Sequence, residues 1–433
     1  MNLLVTNIHT QQAYATILAL RPHAEKVVVS KYVTGGLLGR LPHAAYSRFI
    51  DKRYSVPSPV ADWQVGNIQP DNTKGEEAYV KALEAICEAE GIDTIYPSWD
   101  PDVYVLSKNK DRFASMGVLI PVPDIEISLA ALDKYRTIEA ARKIGFPCPR
   151  TYLYEDEKDA RDIAAREEFP LVIKPRFTSG SRGMSIVQDL PDLLGRLSFE
   201  QDGRYKPMIQ EYIPGGRRES FQFVLDGDGR PGFLFHKKRL RNFRVNQRFG
   251  TVSKSATLPP YCPDAIRLMQ SLQWWGAGGI EVLLDPRDGA WKLLEINARF
   301  SRQLWNRTEM DINEPWMCLE IARGKKYPET LDYPVDALFV NPVEDVMLYC
   351  LQMMDSLVYR LRRRFRGKET FDPLIAPPTL RELTRDFLQT YQRGQNRVLD
   401  PLTRHFFQDP LVALIWWLEF TTWMGGACKQ LGR

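Results

Sequence analysis

Apolar runs and helical patterns alternate along the first 125 residues. The short apolar runs have strand character and occupy residues 3–5, 27–29 and 94–96. Patterns of helical spacing begin near residue 11 and extend over residues 72–90 and 102–116. Strands that alternate with helices favour a parallel sheet. The sequence therefore predicts an N-terminal α/β domain over residues 1–125.

A loop rich in Gly, Ser and Arg separates two β-rich runs, residues 171–173 and 184–187. This pattern predicts a hairpin with a long connection. Gly180 and Gly183 allow a ligand to approach the backbone, and Ser hydroxyls, free N–H groups and Arg all donate to anionic oxygen. Lys174 adds a charge at the end of the first run. One interpretation is a phosphate-binding loop, and the alternative is an ordinary surface hairpin. The spacing of a P-loop is absent from the sequence, so this pattern alone does not decide between them.

Three oxygen-bearing side chains follow the spacing of a second predicted hairpin. Glu281 lies on one strand, and Glu295 and Asn297 lie on the next, across a turn at residues 285–289. Residues two apart in a strand share a face, and a hairpin partner can place Glu281 beside them. Two carboxylates and an amide suit Mg²⁺, and two carboxylates without a cation would repel each other. An exposed hairpin with coincidental acids is the alternative.

Beyond about residue 330 the pattern becomes helical. Pro follows Asn341, Asp400 and Asp409, and residues 379–382 read Thr-Leu-Arg-Glu. Both features are typical of helix starts. We therefore predict an all-helical C-terminal region over residues 331–433.

Two helices of this region have marked apolar character. The helix predicted over residues 342–366 carries an apolar stripe and ends in a run of arginines. Such a stripe is typical of a packed core, and the alternative is a basic amphipathic surface for anionic lipid or a partner. Residues 411–424 would cover about 21 Å as a helix, short of a bilayer core of about 30 Å. We expect no transmembrane span. Packing against the rest of the protein or within a homodimer is favoured over peripheral membrane contact.

The length, net charge and cysteine content of the chain argue against several classes of protein. At 433 residues it can bury several cores, so two or three domains are expected. A net charge of +4 is too small on this length to indicate a nucleic-acid-binding protein. The six cysteines are scattered without a Cys-x-x-Cys pair, which argues against zinc and against a disulfide framework. The N-terminus lacks the pattern of a secretory signal, so we expect the cytoplasm.

Four motifs follow one another in a fixed order. They are Lys174-Pro175 before the Gly/Ser loop, and residues 208–216, 279–285 and 293–299. Together they resemble the ATP-grasp superfamily, which includes biotin carboxylase, D-alanine:D-alanine ligase and the large subunit of carbamoyl phosphate synthase. The resemblance implies an α+β ATP-grasp clamp over residues 126–330, with a small subdomain to about residue 210 and a large one from about 211. It also implies that residues 1–125 are the α/β pre-ATP-grasp domain.

The resemblance assigns ATP-binding roles as well. It implies that Lys134 and Lys174 contact phosphate and that Glu219 accepts both ribose hydroxyls. It implies that the loop between the first two motifs covers the phosphates, through Thr178, Ser179, Gly180, Ser181 and Gly183. It places adenine beside the backbone of Gln210, Glu211, Tyr212 and Ile213.

Three arginines are the candidate catalytic residues, Arg299, Arg239 and Arg241. The resemblance implies that Arg299 neutralises the transferred phosphoryl group and that residues 236–254 cover the acceptor substrate. A guanidinium holds a carboxylate or phosphate in a bidentate fork, so the extra arginines favour an anionic substrate. Basic and aromatic residues also alternate over residues 236–254, and a nucleic-acid surface is the alternative that we do not favour. Residues 298 and 300–302 depart from the superfamily pattern, which leaves the acceptor pocket undefined.

The reaction implied by the resemblance is an ATP-dependent ligation of a carboxylate to an amine, or to a thiol, through an acylphosphate with release of ADP and phosphate. The cofactors would be ATP and Mg²⁺, with Mn²⁺ as the alternative cation. The substrates would be a small carboxylic acid and an amine, one of them with an anionic group. The alternatives are a non-catalytic ATP-binding module recruited through its helical tail, and an ATP-grasp kinase or carboxylase.

Overall fold

The computed structural model describes most of the chain. The described residues are 1–33, 43–60, 73–178, 183–197, 199, 206–215, 217–242, 250–366, 378–392, 397–404, 407–412 and 414–415. The chain forms two compact units, the first with residues 1–236 and 257–333 and the second with residues 237–256 and 334–433. The finer division of the first unit at residue 125 stays a prediction.

The first unit begins with a four-stranded parallel sheet in the order β3-β2-β1-β4. Its strands are β1 (Asn2–Val5), β2 (Lys26–Tyr32), β3 (Lys52–Val56) and β4 (Thr94–Tyr96). Its helices are α1 (Gln11–Leu20), α2 (Thr73–Glu90), α3 (Asp100–Lys108) and α4 (Lys110–Ala114). Leu3, Leu4 and Val28 are fully buried, as expected for strands that are covered on both faces. The predicted parallel sheet is confirmed.

A small antiparallel sheet follows, in the order β5-β8-β6-β7. Its strands are β5 (Thr151–Tyr152), β6 (Leu171–Lys174), β7 (Ser185–Val187) and β8 (Met208–Glu211). The helices of this part of the chain are α5 (Ile125–Leu132), α6 (Lys134–Lys143), α7 (Glu157–Arg166) and α8 (Leu190–Arg196). Leu171, Ile173 and Ile209 pack with Ile163 and Leu193 in one core, which fixes β6 under α7 and α8. The pairing of β6 with β7 confirms the predicted hairpin.

The first unit ends with long antiparallel strands. They are β9 (Arg217–Leu225), the first part of β10 (Pro231–Asn242), β12 (Gly276–Leu284) and β13 (Trp291–Asn297). Strand β12 pairs with β9 on one side and with β13 on the other. The helices α9 (Cys262–Ser271), α10 (Trp305–Thr308) and α11 (Glu314–Ala322) complete this unit. These strands carry the residues of the predicted metal site.

The second unit contains strands as well as helices. Its elements after the end of β10 are β11 (Gly250–Ala256), β14 (Leu338–Val340), α12 (Pro342–Arg366), α13 (Leu380–Thr390), β15 (Arg397–Leu399) and α14 (Pro401–Arg404). Strand β14 pairs antiparallel with β11 and parallel with β15. The prediction of an all-helical region over residues 331–433 is therefore wrong in this respect, because three-residue strands are too short to leave an alternating pattern. The capping box of Thr379 and Glu382 is confirmed.

Buried Asp345 holds the second unit together. Its carboxylate accepts hydrogen bonds from Thr251 (2.7 Å), Tyr391 (3.0 Å) and Arg241. Arg241 also donates to Thr390 Oγ1 at 2.7 Å. Most of the predicted apolar helix over residues 411–424 lies outside the described residues. Among the described helices, none is long and apolar enough to cross a membrane.

Candidate active site

Glu281 and Glu295 are direct neighbours on β12 and β13. The register pairs Glu281 with Glu295 and Gly279 with Asn297, so the side chains of Glu281, Glu295 and Asn297 share one face. All three are half-buried, whereas Ile296 between the last two is buried. The structure therefore brings the three predicted metal ligands to one accessible face. Among the described residues, no group of three or more His, Cys, Asp or Glu could hold a metal ion. The predicted set of two carboxylates and one amide therefore stays a prediction.

Two buried lysines approach the same carboxylate. Lys174 Nζ lies 3.5 Å from Glu295 Oε2, and Lys134 Nζ lies 3.9 Å from it. Lys174 is the last residue of β6, and Lys134 is the first residue of α6. The two predicted phosphate-binding lysines thus converge on one predicted metal ligand, although they are far apart in the sequence.

A β-bulge helps to place Lys174. The register of β12 and β13 passes from Glu281–Glu295 to Val282–Leu293, so Leu294 is the extra residue. The carbonyl oxygen of Leu294 accepts a hydrogen bond of 3.0 Å from Lys174 Nζ. The bulge therefore supplies an acceptor that holds the ammonium group next to Glu295.

Asp133 and Arg176 place Lys134. Asp133 caps α6 by accepting a 3.0 Å hydrogen bond from Tyr135 N, and it accepts another of 3.0 Å from Arg176 Nε. Lys134 N donates to Arg176 O at 3.2 Å, and Lys134 Nζ donates to Thr178 O. No motif of the sequence indicates this Asp133–Arg176 pair, which ties the start of α6 to the loop after β6.

The charges on this face favour an anionic ligand. Burial lowers the pKa of Lys174, and the nearby charges of Lys134 and Arg218 lower it further. The charge of Glu295 raises this pKa but does not outweigh them. Burial alone would raise the pKa of Glu295, but the charges of Lys174, Lys134 and Arg218 outweigh it and lower that pKa. Glu295 is therefore a carboxylate surrounded by three cations. Such a set can accept additional negative charge.

Arg218 is a site residue that sequence reasoning missed. In the register of β9 against β12, Arg218 pairs with Leu283 and Ser220 pairs with Glu281. Arg218 and Ser220 are two residues apart in β9, so the side chain of Arg218 lies on the same face of the sheet as Glu281. Only the register of β9 against β12 reveals this position. The sequence offered no more than a pair of arginines after two glycines.

Glu219, the predicted ribose ligand, faces the other way. It pairs with Val282 and is flanked by Ser220, so its side chain points to the face opposite Glu281. It is 3% exposed, and its Oε2 lies 2.9 Å from His236 Nε2. Because side chains alternate along β9, the structure does not bring Glu219 together with the two lysines and Glu295. Its role as a ribose ligand stays a prediction.

The predicted adenine-binding residues have their side chains engaged within the protein. Gln210 Nε2 donates to Thr151 Oγ1 at 2.9 Å, and Glu211 accepts from Arg150 N at 3.0 Å. Ile213 packs against Leu283 and Leu294, and Tyr212 is half-buried. Backbone groups of these residues could still contact a base, as the resemblance implies, and that contact stays a prediction.

The predicted phosphate loop is described only at its ends. Ser179, Gly180 and Ser181 lie outside the described residues. Thr178 is buried, and Gly183 has a φ of +69°. A Cβ at Gly183 would lie 3.0 Å from Pro175 Cγ, so a glycine suits this position for its conformation and for its close packing.

The three candidate catalytic arginines lie in different surroundings. Arg299 Nε lies 2.9 Å from Asp100 Oδ1, within the first unit. Arg239 and Arg241 belong to the second unit, where the guanidinium of Arg241 is bound to Asp345. The guanidinium of Arg241 is thus engaged within its own unit, and the contacts of Arg239 and Arg241 with a substrate stay predictions. Residues 243–249 of the alternative nucleic-acid surface lie outside the described residues.

A known protein family matches the part of the chain that carries the lysines and carboxylates of the candidate site. Residues 133–305 match the family model described as carbamoyl-phosphate synthase L chain, ATP binding domain. Residues 133–305 form an ATP-grasp domain. Its matched part begins at Asp133, the cap of α6, and includes Lys174, Glu281 and Glu295. The predicted ATP-grasp resemblance is confirmed.

Several relatives of known name cover about half of the chain. The carbamoyl phosphate synthase large chain of Thermoplasma acidophilum is 27% identical over 256 residues, which are 54% of this chain and 24% of the relative. The biotin carboxylase of Haemophilus influenzae is 25% identical over 243 residues, which are 51% of each protein. The chain thus spans about a quarter of the first relative and about half of the second.

Solved structures share the fold of the ATP-grasp domain. Biotin carboxylase from Campylobacter jejuni, in complex with β-γ-ATP, has a TM-score of 0.59 and 17% identity, covering 78% of this chain and 74% of the other. The biotin carboxylase domain dimer of Hydrogenobacter thermophilus 2-oxoglutarate carboxylase, in complex with MgADP, has a TM-score of 0.58 and 16% identity, covering 78% and 73%. At these identities the likeness shows the fold.

Proposed function

We propose that the protein is an ATP-dependent ligase that activates a substrate carboxylate as an acylphosphate and joins it to an amine, with release of ADP and phosphate. The observation that supports this proposal most strongly is the approach of Lys134 and Lys174 to Glu295, beside Glu281, within an ATP-grasp domain. These residues carry the opposite charges that a nucleotide phosphate and its metal require.

The lysines would hold the phosphates of ATP. Both ammonium groups are buried and lie 3.5 and 3.9 Å from Glu295 Oε2, so this carboxylate balances their charge without forming close hydrogen bonds to both. A phosphate oxygen can therefore approach either ammonium group while each retains its carbonyl acceptor, Leu294 O or Thr178 O. Arg218 adds a third cation to the same face.

The residues of β12 and β13 fit a divalent cation. Glu281 and Glu295 would hold it with their carboxylates, and Asn297 with its amide oxygen, because hard cations prefer oxygen ligands. Mg²⁺, or Mn²⁺ in its place, would neutralise phosphate charge when bound. The supporting observation is the direct cross-strand pairing of two carboxylates, with Asn297 beside them, on a half-buried face.

The proposed reaction has two steps. A carboxylate oxygen of the substrate attacks the γ-phosphorus of ATP, the bond to the β–γ bridging oxygen breaks, and ADP leaves. The amine then attacks the carbonyl carbon of the acylphosphate, and phosphate leaves as the amine loses a proton. Lys134 and Lys174 would position the phosphates. Arg299, two residues after Asn297, would pair with the substrate carboxylate in place of the phosphoryl group that the resemblance implies.

Phosphate release from ATP in the presence of Mg²⁺ tests this function. Pools of small carboxylic acids, with and without pools of amines, are added to the wild-type protein and to Glu295→Ala. We expect one acid pool to stimulate release with the wild type and not with Glu295→Ala. The matched control is Glu157→Ala, which removes an exposed carboxylate of α7 and should behave as the wild type. Equal stimulation of the Glu295→Ala protein would contradict the proposed site.

Carboxylation is the second candidate function. Relatives named biotin carboxylase and pyruvate carboxylase favour it, and their names indicate enzymes that transfer a carboxyl group. Bicarbonate is therefore tested as a separate acid in the same assay. Stimulation by bicarbonate, with no stimulation by the organic acids, would support carboxylation in place of ligation.

A further inference from the structure

Arg299 and Asp100 form an ion pair at the edge of the candidate site. Arg299 Nε lies 2.9 Å from Asp100 Oδ1, and the two side chains are only 12% and 13% exposed. Arg299 follows Asn297 by two residues, whereas Asp100 is the first residue of α3 in the N-terminal part of the unit. The pair therefore connects the end of the predicted metal-binding strand to the parallel sheet.

The turn that leads to Asp100 is held in place by hydrogen bonds at the strand ends. Ser98 Oγ donates to Thr6 O at 2.6 Å, and Gln12 Nε2 donates to Ser98 O at 2.7 Å, which fixes the turn from β4 into α3. This edge is formed by the carboxyl ends of β1 and β4, where open parallel sheets bind ligands. Asn7 lies at the same edge with 3% exposure and a φ of +48°, and its Oδ1 has no hydrogen-bond partner among the described residues.

A ligand that opens a largely buried ion pair must replace both interactions. A simple carboxylate could pair with Arg299, but it would leave Asp100 with an unpaired charge next to a second anion, which is costly in a buried site. An α-amino acid can replace both interactions, because its carboxylate pairs with the guanidinium and its ammonium group pairs with the carboxylate. One carbon atom separates the two groups of the ligand, so they can reach two protein side chains that are already in contact.

We infer that the carboxylic substrate of this protein is an α-amino acid whose carboxylate is held by Arg299 and whose ammonium group is held by Asp100. The inference rests on the proposed function, because the carboxylate at Arg299 is the one that would be activated. Asp100 is then the residue that distinguishes an amino acid from the corresponding acid without an amino group.

Thermal unfolding of the full chain with MgADP tests the binding directly. The probes are the proteinogenic α-amino acids and, at equal concentration, acids with the same carbon skeletons that lack the amino group, such as propionate for alanine and succinate for aspartate. We expect one amino acid to raise Tm and its matched acid to leave Tm unchanged. In Asp100→Asn, the apparent affinity for that amino acid should fall about ten- to a hundredfold, as expected for the loss of a charge-assisted hydrogen bond.

Two further variants exclude a general loss of structure. Asp124→Asn removes the exposed charge of another helix-start aspartate, paired with Lys110, and should bind the amino acid as the wild type does. Asp100→Glu retains the charge and should retain part of the affinity even if Asp100→Asn is less stable. The response of Tm to MgADP alone should be the same in all of these proteins.

The outcomes separate this inference from the proposed function. Equal effects of amino acids and matched acids would overturn the inference, while acid-stimulated phosphate release would still support a ligase. Undiminished binding to Asp100→Asn, or no effect of any amino acid on Tm, would also overturn the inference. Binding that depends on Asp100 without acid-stimulated phosphate release would support the amino-acid site and contradict the ligase.

Discussion

Glu295 and Asp345 are both carboxylates that face cations, but their partners are arranged differently. Asp345 is fully buried and accepts close hydrogen bonds from Arg241, Thr251 and Tyr391. The side chain of Glu295 is 20% exposed, and its two lysines remain 3.5 and 3.9 Å away. The network of Asp345 is closed by the protein itself, whereas the carboxylate of Glu295 is partly exposed and its two lysines are not in close contact with it. This difference separates a structural network from a candidate active site.

A third buried carboxylate has no cation among its described hydrogen-bond partners. Asp102 accepts hydrogen bonds from Tyr32 at 2.5 Å and Tyr79 at 2.6 Å. Burial raises the pKa of Asp102 to about 6 despite these hydrogen bonds. The pKa of Glu295 is instead lowered, since the charges of its lysines outweigh burial. The nearby cations of Glu295 therefore shift its pKa in the direction opposite to that of Asp102.

The largest effect on stability should come from Asp345→Ala. Removing this carboxylate leaves the guanidinium of Arg241 buried without its charged partner, which should reduce the free energy of unfolding by about 3–5 kcal/mol. Denaturant unfolding of the wild type and the variant measures the loss. A reduction as small as that of a surface substitution would contradict the description of this network as structural.

Asp102→Asn should change the pH dependence of stability. The folded-state pKa of about 6 lies above the ordinary value, so the folded protein holds a proton that the unfolded chain has released between about pH 4 and 6. The wild type should therefore lose roughly 2–3 kcal/mol of stability, relative to Asp102→Asn, as the pH rises from about 4 to 6. Denaturant unfolding at a series of pH values measures this difference. Parallel pH profiles would show that Asp102 titrates normally.

Lys174→Met should separate binding from stability. The variant removes a buried ammonium group whose pKa is lowered by burial, so the free energy of unfolding should be unchanged or higher. The affinity for ATP should fall about a hundredfold, because a phosphate loses a charged donor in a buried site. Fluorescence titration with an ATP analogue measures the affinity. Lys158→Met, on exposed α7, is the matched control, and equal affinities of the two variants would contradict the role of Lys174.

Gly183→Ala should have the smallest effect. The left-handed backbone of Gly183 and the 3.0 Å approach of a Cβ to Pro175 should together reduce stability by about 1–2 kcal/mol. Gly195→Ala in α8, where an added Cβ meets no atom within 4 Å, is the control and should be neutral or stabilising. Thermal unfolding compares the two variants. The reverse order of stability would show that the loop relaxes around the added methyl group.

Local spacing in the sequence was sufficient to predict part of this site. Glu295 and Asn297 are two residues apart, and a short turn returns the chain to Glu281, so alternation along two strands places all three on one face. The convergence of Lys134 and Lys174 could not follow from spacing, and it was predicted only through the resemblance to the ATP-grasp superfamily. The parallel order of the first sheet followed from the alternation of strands and helices.

The remaining features depend on distant pairings. The face of Glu219 is set by the register of β9 against β12, which a motif does not define. Arg241 is engaged by Asp345, 104 residues later in the chain, and Asp100 contacts Arg299, which is also distant from it in the sequence. Such contacts form only when separate elements pack together, so the sequence alone identified the arginines but not their partners.

The binding of ATP with and without Mg²⁺ tests the central claim most directly. Isothermal titration compares the wild type with Glu295→Ala, and unfolding curves confirm that both proteins are folded. If β12 and β13 hold the metal, Mg²⁺ should strengthen the binding of ATP to the wild type, and the variant should lose about a hundredfold in affinity for MgATP. A folded Glu295→Ala protein that binds MgATP as tightly as the wild type would contradict the assignment of this face as the nucleotide and metal site.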